Sequence, residues 1–570
     1  MNLNGVYSLK GKQQENLVRF LSNDKWRVLV FDDFCSQLLS MYFVVADLRK
    51  CHITMLLFVI FYWYTLTYRN IEVERQQISD VDAIYFVQPT KTNIEKIVND
   101  LQNHMYHTFT LLFTNSLSKN QLNFFTKSSK FSSITSIERI CNCFCNFQML
   151  EPTILSLEMK NSYSVYNTSD ISNVLGTRVV RYLVDSLFSS IYTSRQIPLI
   201  KARSGTMEHF IAKELTSCII SFKKENPEYF LKKKHNREML ILTNRNYDMS
   251  AGLIHGWSYE ALVKETCDCV GTKIKINDKW QYVNRESDIF KETKSGIISD
   301  VADRIIKETK TLETLKEEIK LSTTDFFERN GGMNEMMYMK AKQIEEEIDL
   351  QTNLARQVLN SVQSRQLDLL FSFEDNIMSK SKIENSALIE FAKKLTNTRD
   401  LLRLYYICFL NAFDVTEFEK LLSEKNIETK EKPIFEKLKE KQEFLRLSKK
   451  DNPARLSISK VVGTVIGTVA KLLPSDKKVP ATLLVEAIAN GKTLNEDIAT
   501  FDPEDSETEV QNKNEKSDDI TVFVVGGGSY TEFSNISNYA KKSGKRIMYA
   551  TTEMVSGDNL MQQISSLVLN

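Results

Sequence analysis

The segment Met239-Leu-Ile-Leu-Thr-Asn-Arg-Asn-Tyr-Asp-Met249, followed by Leu253-Ile-His-Gly-Trp-Ser-Tyr-Glu-Ala-Leu-Val263, decides the fold prediction. Its first four residues form a short apolar run, which predicts a buried β-strand. A second run of this kind, Thr521-Val-Phe-Val-Val525, comes only after a long interval whose pattern is mostly helical. We therefore expect the later strand to return to the sheet of the earlier one, with a large helical insertion between them.

Apolar runs nearer the N-terminus predict two further buried strands, at Trp26–Phe31 and Ala83–Val87, and a helical pattern follows at Asn93–His104. Strands that alternate with helices indicate a parallel sheet. The sequence thus predicts an α/β fold with parallel-sheet domains and a large, mostly helical insertion.

The insertion contains two series of apolar residues at helical spacing, one from Val301 to Ile319 and one from Ile344 to Val362. Gly331-Gly332 interrupts the pattern between them, so a long helical hairpin is predicted. The charged faces of both helices are typical of solvated helix surface, and they also suit a surface that binds a partner helix.

The composition bounds the class of protein. The chain has 570 residues, 42% of them apolar and 26% charged, and 74 basic side chains offset 73 acidic ones. The length and the composition are typical of a large globular protein of several domains. The near balance of charge means that no overall positive electrostatic field attracts nucleic acid. Nine scattered cysteines and a polar N-terminus predict a reducing, cytoplasmic compartment. Residues 501–519 are acidic and polar, which predicts a mobile linker.

The strongest sign of an enzyme is Gly526-Gly-Gly528, which follows a predicted strand and precedes a predicted helix. Glycines at such a turn let a backbone approach a phosphate group. However, Thr531 occupies the position of the third glycine of a dinucleotide motif, and no Gly-Lys-Ser/Thr follows. A tight turn is the preferred interpretation, and a nucleotide- or phosphate-binding α/β enzyme is the alternative.

Metal-binding patterns are also weak. Cys141, Cys143 and Cys145, like Cys267 and Cys269, are too closely spaced for a structural zinc site. His104 and His107 would share a helical face, but no third ligand accompanies them. We expect no catalytic residue, metal or cofactor.

Residues Cys51–Tyr68 carry no formal charge apart from the one that His52 can take. The length of this segment is close to the lower limit for a membrane span, about 17 residues. Its β-branched and aromatic residues favour a buried strand with an apolar extension. A membrane-anchored scaffold is the alternative.

The segment at residues 239–263, quoted first above, resembles the signature LVDRNxDLxTPLxHxWTYQALVHD of the Sec/Munc-type (SM) family. Phe523-Val-Val-Gly-Gly-Gly-Ser-Tyr530 resembles the C-terminal strand and turn of that family. Thr243, Asn244 and Gly256 depart from the pattern, and residues 58–68 have no counterpart, which suggests an insertion or a misplaced exon boundary. The matching signature residues are Arg245, Asn246, Asp248, His255, Trp257, Tyr259, Gly526, Gly527 and Gly528.

Within the family, Asp349–Asn353, Arg365–Asp368 and Glu374–Lys380 are most similar to the Sly-type branch. The resemblance implies a non-enzymatic regulator of vesicle docking and fusion that binds a syntaxin-class SNARE. Such a protein templates SNARE complex assembly in transport between endoplasmic reticulum (ER) and Golgi. It is cytoplasmic and reaches ER and Golgi membranes through its partners.

The family fold implied by the resemblance is an arch of three domains. The first is an N-terminal α/β domain at residues 1–150. The second combines residues 151–265 with 475–570, its sheet being completed by C-terminal strands. The third is the helical insertion at residues 266–474.

The resemblance also implies two binding surfaces. One is a pocket of the first domain for the N-terminal peptide of a SNARE, and the other is the helical hairpin, which templates SNARE helices. Ordinary core packing is the alternative interpretation of both residue sets. The pocket residues are Leu122, Phe125, Ile137, Ile140 and Cys141; the hairpin residues are Met333, Met336, Met337, Met339, Ile344 and Ile348.

Overall fold

The computed structural model describes residues 8–54, 69–71, 75–128, 136–168, 173–231, 237–270, 273–285, 287–325, 331–378, 385–447, 478–491, 498–504, 507–510 and 516–568. The chain forms two compact units. Unit one comprises residues 1–244, 485–526 and 543–553, and unit two comprises residues 245–484, 527–542 and 554–570. The division into three domains stays a prediction.

Unit one contains a first, all-parallel sheet with the strand order β2-β1-β4-β5-β6, and β3 also pairs with β1. Both strands predicted nearest the N-terminus belong to it, as β1 and β4. The strands are β1 (Arg27–Phe31), β2 (Ile53–Thr54), β3 (Arg69–Asn70), β4 (Asp82–Val87), β5 (Phe109–Phe113) and β6 (Ile137–Asn142).

Helices cover both faces of this sheet. Apolar side chains of the first three helices, such as Leu17, Leu38 and Leu48, pack on one face, and Ile94 and Phe125 of the next two pack on the other. Burial on both faces explains why β1, β4 and β5 are continuous apolar runs. The helices are α1 (Leu9–Leu21), α2 (Asp33–Ser40), α3 (Val45–Lys50), α4 (Lys91–Gln102) and α5 (Lys119–Ser128).

The second sheet of unit one has eight strands in the order β15-β14-β9-β10-β16-β17-β8-β7. β10 and β16 are parallel neighbours in register from Met239 and Ile520 to Asn244 and Val525. The predicted return of the late strand to the early sheet is confirmed. The strands are β7 (Gln148–Glu151), β8 (Ile154–Ser156), β9 (Leu199–Arg203), β10 (Met239–Asn244), β14 (Ile498–Asp502), β15 (Glu507–Val510), β16 (Asp519–Val525) and β17 (Arg546–Thr551).

Three helices accompany this sheet: α6 (Ser162–Thr168), α7 (Val174–Ser194) and α8 (Met207–Glu225). Leu183 and Leu187 of α7 and Ile211 and Leu215 of α8 share one core with the strands. Both helices carry apolar residues at three- and four-residue spacing, which places those residues on the face toward the sheet.

The structure departs from the predicted mobile linker at residues 501–519, because β14, β15 and β16 each include residues of this segment. Phe501 and Asp502 end β14, which pairs antiparallel with both β9 and β15. Phe501 is buried in the core, and the Asp502 carboxylate lies 2.6 Å from Nη1 of the buried Arg237. The acidic composition of the segment did not indicate a buried strand, because the charge of Asp502 is balanced by Arg237, a residue distant in sequence.

Unit two is mostly helical and includes a three-stranded antiparallel sheet of β11 (Cys269–Val270), β12 (Lys273–Ile276) and β13 (Lys279–Tyr282). The remaining helices are α9 (Met249–Leu253), α10 (Tyr259–Thr266), α11 (Asp288–Thr293), α12 (Ile298–Asp325), α13 (Gly331–Arg365), α14 (Leu367–Met378), α15 (Asn385–Lys394), α16 (Thr398–Leu410), α17 (Thr416–Glu424), α18 (Lys432–Leu447), α19 (Pro480–Ala489), α20 (Tyr530–Ser543) and α21 (Gly557–Val568). The chain divides between the two units within α19, at Val485.

The predicted hairpin is formed by α12 and α13, which pack together along their lengths. Gly331-Gly332 does not separate the helices, because α13 begins at Gly331. The connection at residues 326–330 lies outside the described residues.

The apolar segment at residues 51–68 is described only at its start, where Ile53 and Thr54 form β2 beside β1. The predicted insertion at residues 58–68 lies outside the described residues. Among the helices that the structure describes, none combines the length and the hydropathy of a membrane span.

Candidate functional site

The signature residue Arg245 is completely buried in unit two. Its Nε donates a hydrogen bond to the carbonyl oxygen of Gly527 (2.8 Å), and its Nη2 donates to Oε2 of Glu532 (2.6 Å). Nη1 donates to the carbonyl oxygen of Asp248 (2.7 Å), and the Asp248 carboxylate caps α9 by accepting from Ala251 N. The guanidinium therefore joins the signature loop to α20 and the glycine turn.

His255 lies at the centre of a buried ionic cluster, which we call the His255 cluster. Its backbone N–H donates to Oε2 of Glu374 (2.7 Å), and its Nδ1 lies 2.8 Å from Oε1 of the same carboxylate. Its Nε2 lies 3.5 Å from oxygens of both Glu265 and Asp400. The cluster comprises His255, Glu265, Arg365, Glu374, Asp400, Arg403 and Asp558.

Two guanidiniums complete the cluster. Arg365, the last residue of α13, donates to Asp400 Oδ1 (2.6 Å) and Glu265 Oε1 (2.9 Å). Arg403 of α16 is bonded to Glu265, to Asp558 and to the carbonyl oxygen of Leu253. The cluster therefore joins α10, α13, α14, α16 and α21 within unit two.

The charges of the cluster set its protonation. Burial and the neighbouring Arg403 both lower the pKa of His255. The carboxylates of Glu374, Glu265 and Asp400 outweigh these two effects and raise the His255 pKa to about 9. Burial raises the pKa of Glu265, but Arg403, His255 and Arg365 together lower it to about 2. His255 is thus an imidazolium at neutral pH.

Ligand atoms of His255, Glu265 and Asp400 lie within 4.8 Å of one another, the spacing of a metal site. The same two carboxylates already accept hydrogen bonds from Arg365. A divalent cation would have to lie beside that guanidinium and Arg403 and would be repelled by both. The carboxylates of Glu265 and Asp400 therefore stabilise a protonated His255 and not a bound metal ion.

Trp257 and Tyr259 of the signature are packing residues. The Trp257 ring stacks on Phe371 with 5.2 Å between centroids, and the Tyr259 ring lies 5.8 Å from that of Phe290. Asn246 belongs to the 3₁₀ turn Arg245–Tyr247. The described contacts of the signature residues are internal to the protein, which is typical of residues that hold a fold together.

The glycine turn between β16 and α20 has the predicted position but little access for a ligand. Gly526, Gly527 and Gly528 are all buried. In unit one, the Gly526 N–H donates to Thr552 Oγ1 (3.1 Å). In unit two, Gly527 has φ of +99°, and a Cβ there would lie 3.1 Å from Val555. The turn is packed against protein, so the phosphate-binding alternative is not favoured.

The predicted peptide pocket falls on α5 and β6 of unit one. Phe125 is only 5% exposed and anchors α5 to the sheet, whereas Leu122 and Ile140 are 42% and 43% exposed. Ile137 and Ile140 lie on a strand and not on a helix, so their three-residue spacing should place them on opposite faces. A bulge opposite Phe109 and Thr110 restores the common face, because Ile137 pairs with Phe109 and Ile140 with Leu111.

Cys141 departs from the prediction. It pairs with Leu112, and its side chain packs in the core on the other face of the sheet. The structure therefore places Phe125, Ile137 and Ile140 on one face of the sheet, with Leu122 exposed on α5, and it removes Cys141 from the group because successive strand residues alternate between faces.

Comparison with known proteins identifies the family. The Sec1 family model matches residues 27–563. The chain belongs to the Sec1 family. Sec1 family domain-containing protein 1 of Mus musculus is 26% identical over 95% of this chain and 93% of its own length. Protein sly1 of Schizosaccharomyces pombe is 26% identical over 95% of this chain and 93% of its own length. The resemblance to the Sly-type branch is thus confirmed.

Two solved structures show the same SM fold. Sly1p in complex with an N-terminal peptide of Sed5p has a TM-score of 0.78 and 24% identity, and the alignment covers 99% of both chains. The SM protein Vps45 in complex with the Qa SNARE Tlg2 (1-310) has a TM-score of 0.73 and 14% identity, covering 99% of this chain and 98% of that one.

In this Sec1 family protein the hairpin residues differ in exposure. Met336 and Met339 are 75% and 61% exposed near the start of α13, whereas Met337, Ile344 and Ile348 are partly buried. The side chain of Met333 lies outside the described residues. Tyr338, between the two exposed methionines in sequence, is 64% exposed as well.

The histidine pair considered as a metal site does not form. His104 has φ of +49° just after α4, so it does not share a helical face with His107. The His107 ring instead lies 3.0 Å from Asp82. All nine cysteines are free thiols.

The partners of His255 and Arg245 were not predicted from the sequence. Glu265, Asp400, Arg403 and Asp558 have no local motif, and Glu532 lies far along the chain from Arg245. The available signal was the Sly-type resemblance at Arg365 and Glu374, both of which belong to the His255 cluster.

Proposed function

We propose that this protein is a non-enzymatic regulator of vesicle docking and fusion in ER–Golgi transport, which binds a syntaxin-class SNARE and promotes SNARE complex assembly. The observation that carries the proposal is the full-length similarity to Sly1 relatives, one of which is known in complex with an N-terminal peptide of Sed5p. The buried Arg245 and His255 clusters are internally paired, which supports a binding role for the protein.

The surface between α5 and β6 is the proposed site for the SNARE peptide. Leu122 and Ile140 are large apolar residues with over a third of their surface exposed, beside the buried Phe125. An apolar side chain of the peptide that covers about 100 Å² of apolar area here would contribute roughly 2.5 kcal/mol. A few such anchors dominate the affinity of most interfaces.

The hairpin is the proposed template for SNARE helices. Holding two helices in register reduces the orientational entropy that they lose when their apolar faces first pair. Met336 and Met339 support this role because flexible methionine side chains adapt to different apolar partners.

We also propose that the protein is cytoplasmic and associates with ER and Golgi membranes through its SNARE partners. Sedimentation of cell extracts tests this proposal, since disassembly of SNARE complexes should move the protein from the membrane fraction to the supernatant. Retention after carbonate extraction would contradict it.

Isothermal titration calorimetry with an N-terminal peptide of a syntaxin-class SNARE tests peptide binding. Ile140→Arg should weaken binding at least tenfold, because it places a charge on the apolar surface. Val174→Arg is the matched control, as it charges an exposed valine of unit one on α7, and it should bind like wild type.

If wild type shows no saturable binding, the proposed peptide site is wrong, and cross-linking of SNARE helices to Met336 variants becomes the remaining test of SNARE recognition. If both arginine variants bind like wild type, the peptide binds elsewhere.

A further inference from the structure

A polar cleft of about 330 Å³ lies in unit two between the β12–β13 turn and the C-terminal half of α13. The residues that line the cleft include none of the residues of the proposed peptide surface and neither of the exposed methionines of the hairpin. Asn353, Arg356, Asn360 and Ser364 lie along one side of α13 at three- and four-residue spacing, and Asn277 of the turn faces them.

The turn is held firmly against the helix. The Asn277 N–H donates to Oε1 of Gln357 (3.0 Å), and Nε2 of Gln357 donates to the carbonyl oxygen of Lys275 (3.0 Å). Asn277 and Asp278 have φ of +50° and +61°, which defines a tight hairpin turn. One wall of the cleft is therefore fixed relative to the other.

The cleft presents hydrogen-bonding groups that the described protein does not use. The Arg356 guanidinium and the Asn353 and Asn360 amides have no hydrogen bond or ion pair with another described residue. The hydroxyls of Ser361 and Ser364 donate to backbone carbonyls, which leaves their oxygens free to accept. Donors, acceptors and one permanent positive charge thus converge on one space.

Arg356 is the charged residue among those that line the cleft, and none of the lining residues carries a carboxylate. Asp278 of the turn lies 3.5 Å from Lys275, which also lies 3.8 Å from Asp268. A guanidinium with neighbouring amide donors suits phosphate oxygens, and amide and hydroxyl oxygens suit the hydroxyls of a polyol. The volume lies at the lower end of the range for ligand pockets, about 300–1,000 Å³.

We propose that this cleft binds a phosphorylated polyol of the inositol phosphate class, with Arg356 and Asn360 on the phosphate and Asn277 and Asn353 on ring hydroxyls. The ligand has two sources of the same chemistry, a soluble inositol phosphate and the headgroup of a phosphoinositide lipid. The inference does not depend on SNARE binding.

Calorimetric titration of the full chain with inositol trisphosphate is the first test. Arg356→Gln keeps hydrogen-bonding capacity but removes the charge, and it should weaken binding at least tenfold. Lys340→Gln removes one exposed positive charge from the same helix, sixteen residues and about 24 Å earlier, and it should bind like wild type. Asn360→Leu should also weaken binding, and unchanged thermal unfolding would verify that each variant folds.

Flotation with phosphatidylcholine vesicles, with and without phosphoinositide, distinguishes the sources. Recruitment that needs both the phosphoinositide and Arg356 identifies the lipid headgroup, whereas calorimetric binding without recruitment identifies the soluble ligand. The proposal would be overturned if the wild type bound neither inositol trisphosphate nor phosphoinositide vesicles. It would also be overturned if Arg356→Gln and Lys340→Gln lost the same amount of binding affinity.

Discussion

The Nδ1 atom of His255 lies 2.8 Å from Oε1 of Glu374, and the other oxygen of that carboxylate accepts the backbone N–H of His255. One glutamate of α14 thus fixes both the backbone and the ring of a signature residue. The opposite ring nitrogen faces Glu265 and Asp400. Because every group involved is buried, the arrangement depends on the balance of its charges.

Glu374→Gln should destabilise the protein by roughly 3 kcal/mol, because it removes one carboxylate from a buried imidazolium. Denaturant unfolding followed by circular dichroism measures the change. Glu390→Gln on the neighbouring helix α15 breaks only an exposed ion pair with Lys394 and serves as the control. Equal stability of the two variants would show that the His255 cluster is not charge-balanced as described.

The stability of the protein should fall as the pH rises from about 6.5 to 9. The His255 pKa is about 9 in the folded protein and near 6.5 when unfolded, so the folded state binds more protons in this window. The stabilisation is complete below pH 6.5 and is lost as the pH rises through 9. Its size is on the order of 3 kcal/mol.

Unfolding curves at several pH values, compared between wild type and His255→Gln, test this dependence. The variant should be less stable at pH 6.5, and its stability should change little over the same window. Parallel curves for the two proteins would exclude His255 as the responsible group.

Gly527→Ala should destabilise more than Gly205→Ala. Both glycines have positive φ, at +99° and +71°, so both substitutions carry backbone strain of about 1 kcal/mol. Only Gly527 has a neighbour in the way, since its Cβ would lie 3.1 Å from Val555, whereas Gly205 has open space. The crowding adds roughly 1–3 kcal/mol. Thermal unfolding of the two variants measures the difference, and equal melting temperatures would disprove the close packing.

Asp502→Ala should destabilise unit one by roughly 3 kcal/mol, because it leaves the Arg237 guanidinium buried without its 2.6 Å partner. Hydrogen exchange should rise first in β14 and β15. Glu504→Ala is the control, since its contact with Lys223 is longer, at 3.5 Å, and more exposed. Unchanged hydrogen exchange in β14 would show that the ion pair of Arg237 and Asp502 does not stabilise the sheet.

The strands could be predicted where burial was continuous. Met239–Leu242 and Val522–Val525 are apolar throughout because both faces of their sheet are covered, and the structure confirms them as neighbours. β14 and β15 escaped prediction because acidic residues mask the strand pattern, and only the pairing with Arg237 explains how Asp502 is buried.

The geometry of the proposed peptide surface could be inferred from the sequence only in part. Family resemblance supplied Leu122, Phe125, Ile137 and Ile140, but the common face of Ile137 and Ile140 depends on a bulge in β6. A bulge is a mismatch in register between two strands, so it cannot be detected from the spacing of one of them. For the same reason the sequence placed Cys141 with the others.

The sequence by itself determined the hairpin and four of the buried strands, β1, β4, β10 and β16, because hydrophobic periodicity is a local property of the chain. It also identified the family, since the signature residues stand close together. Only the tertiary structure decided what those residues do. The charged partners of His255 and Arg245 lie on four helices, α10, α14, α16 and α20, and a balance of buried charge exists only once folding brings these helices together.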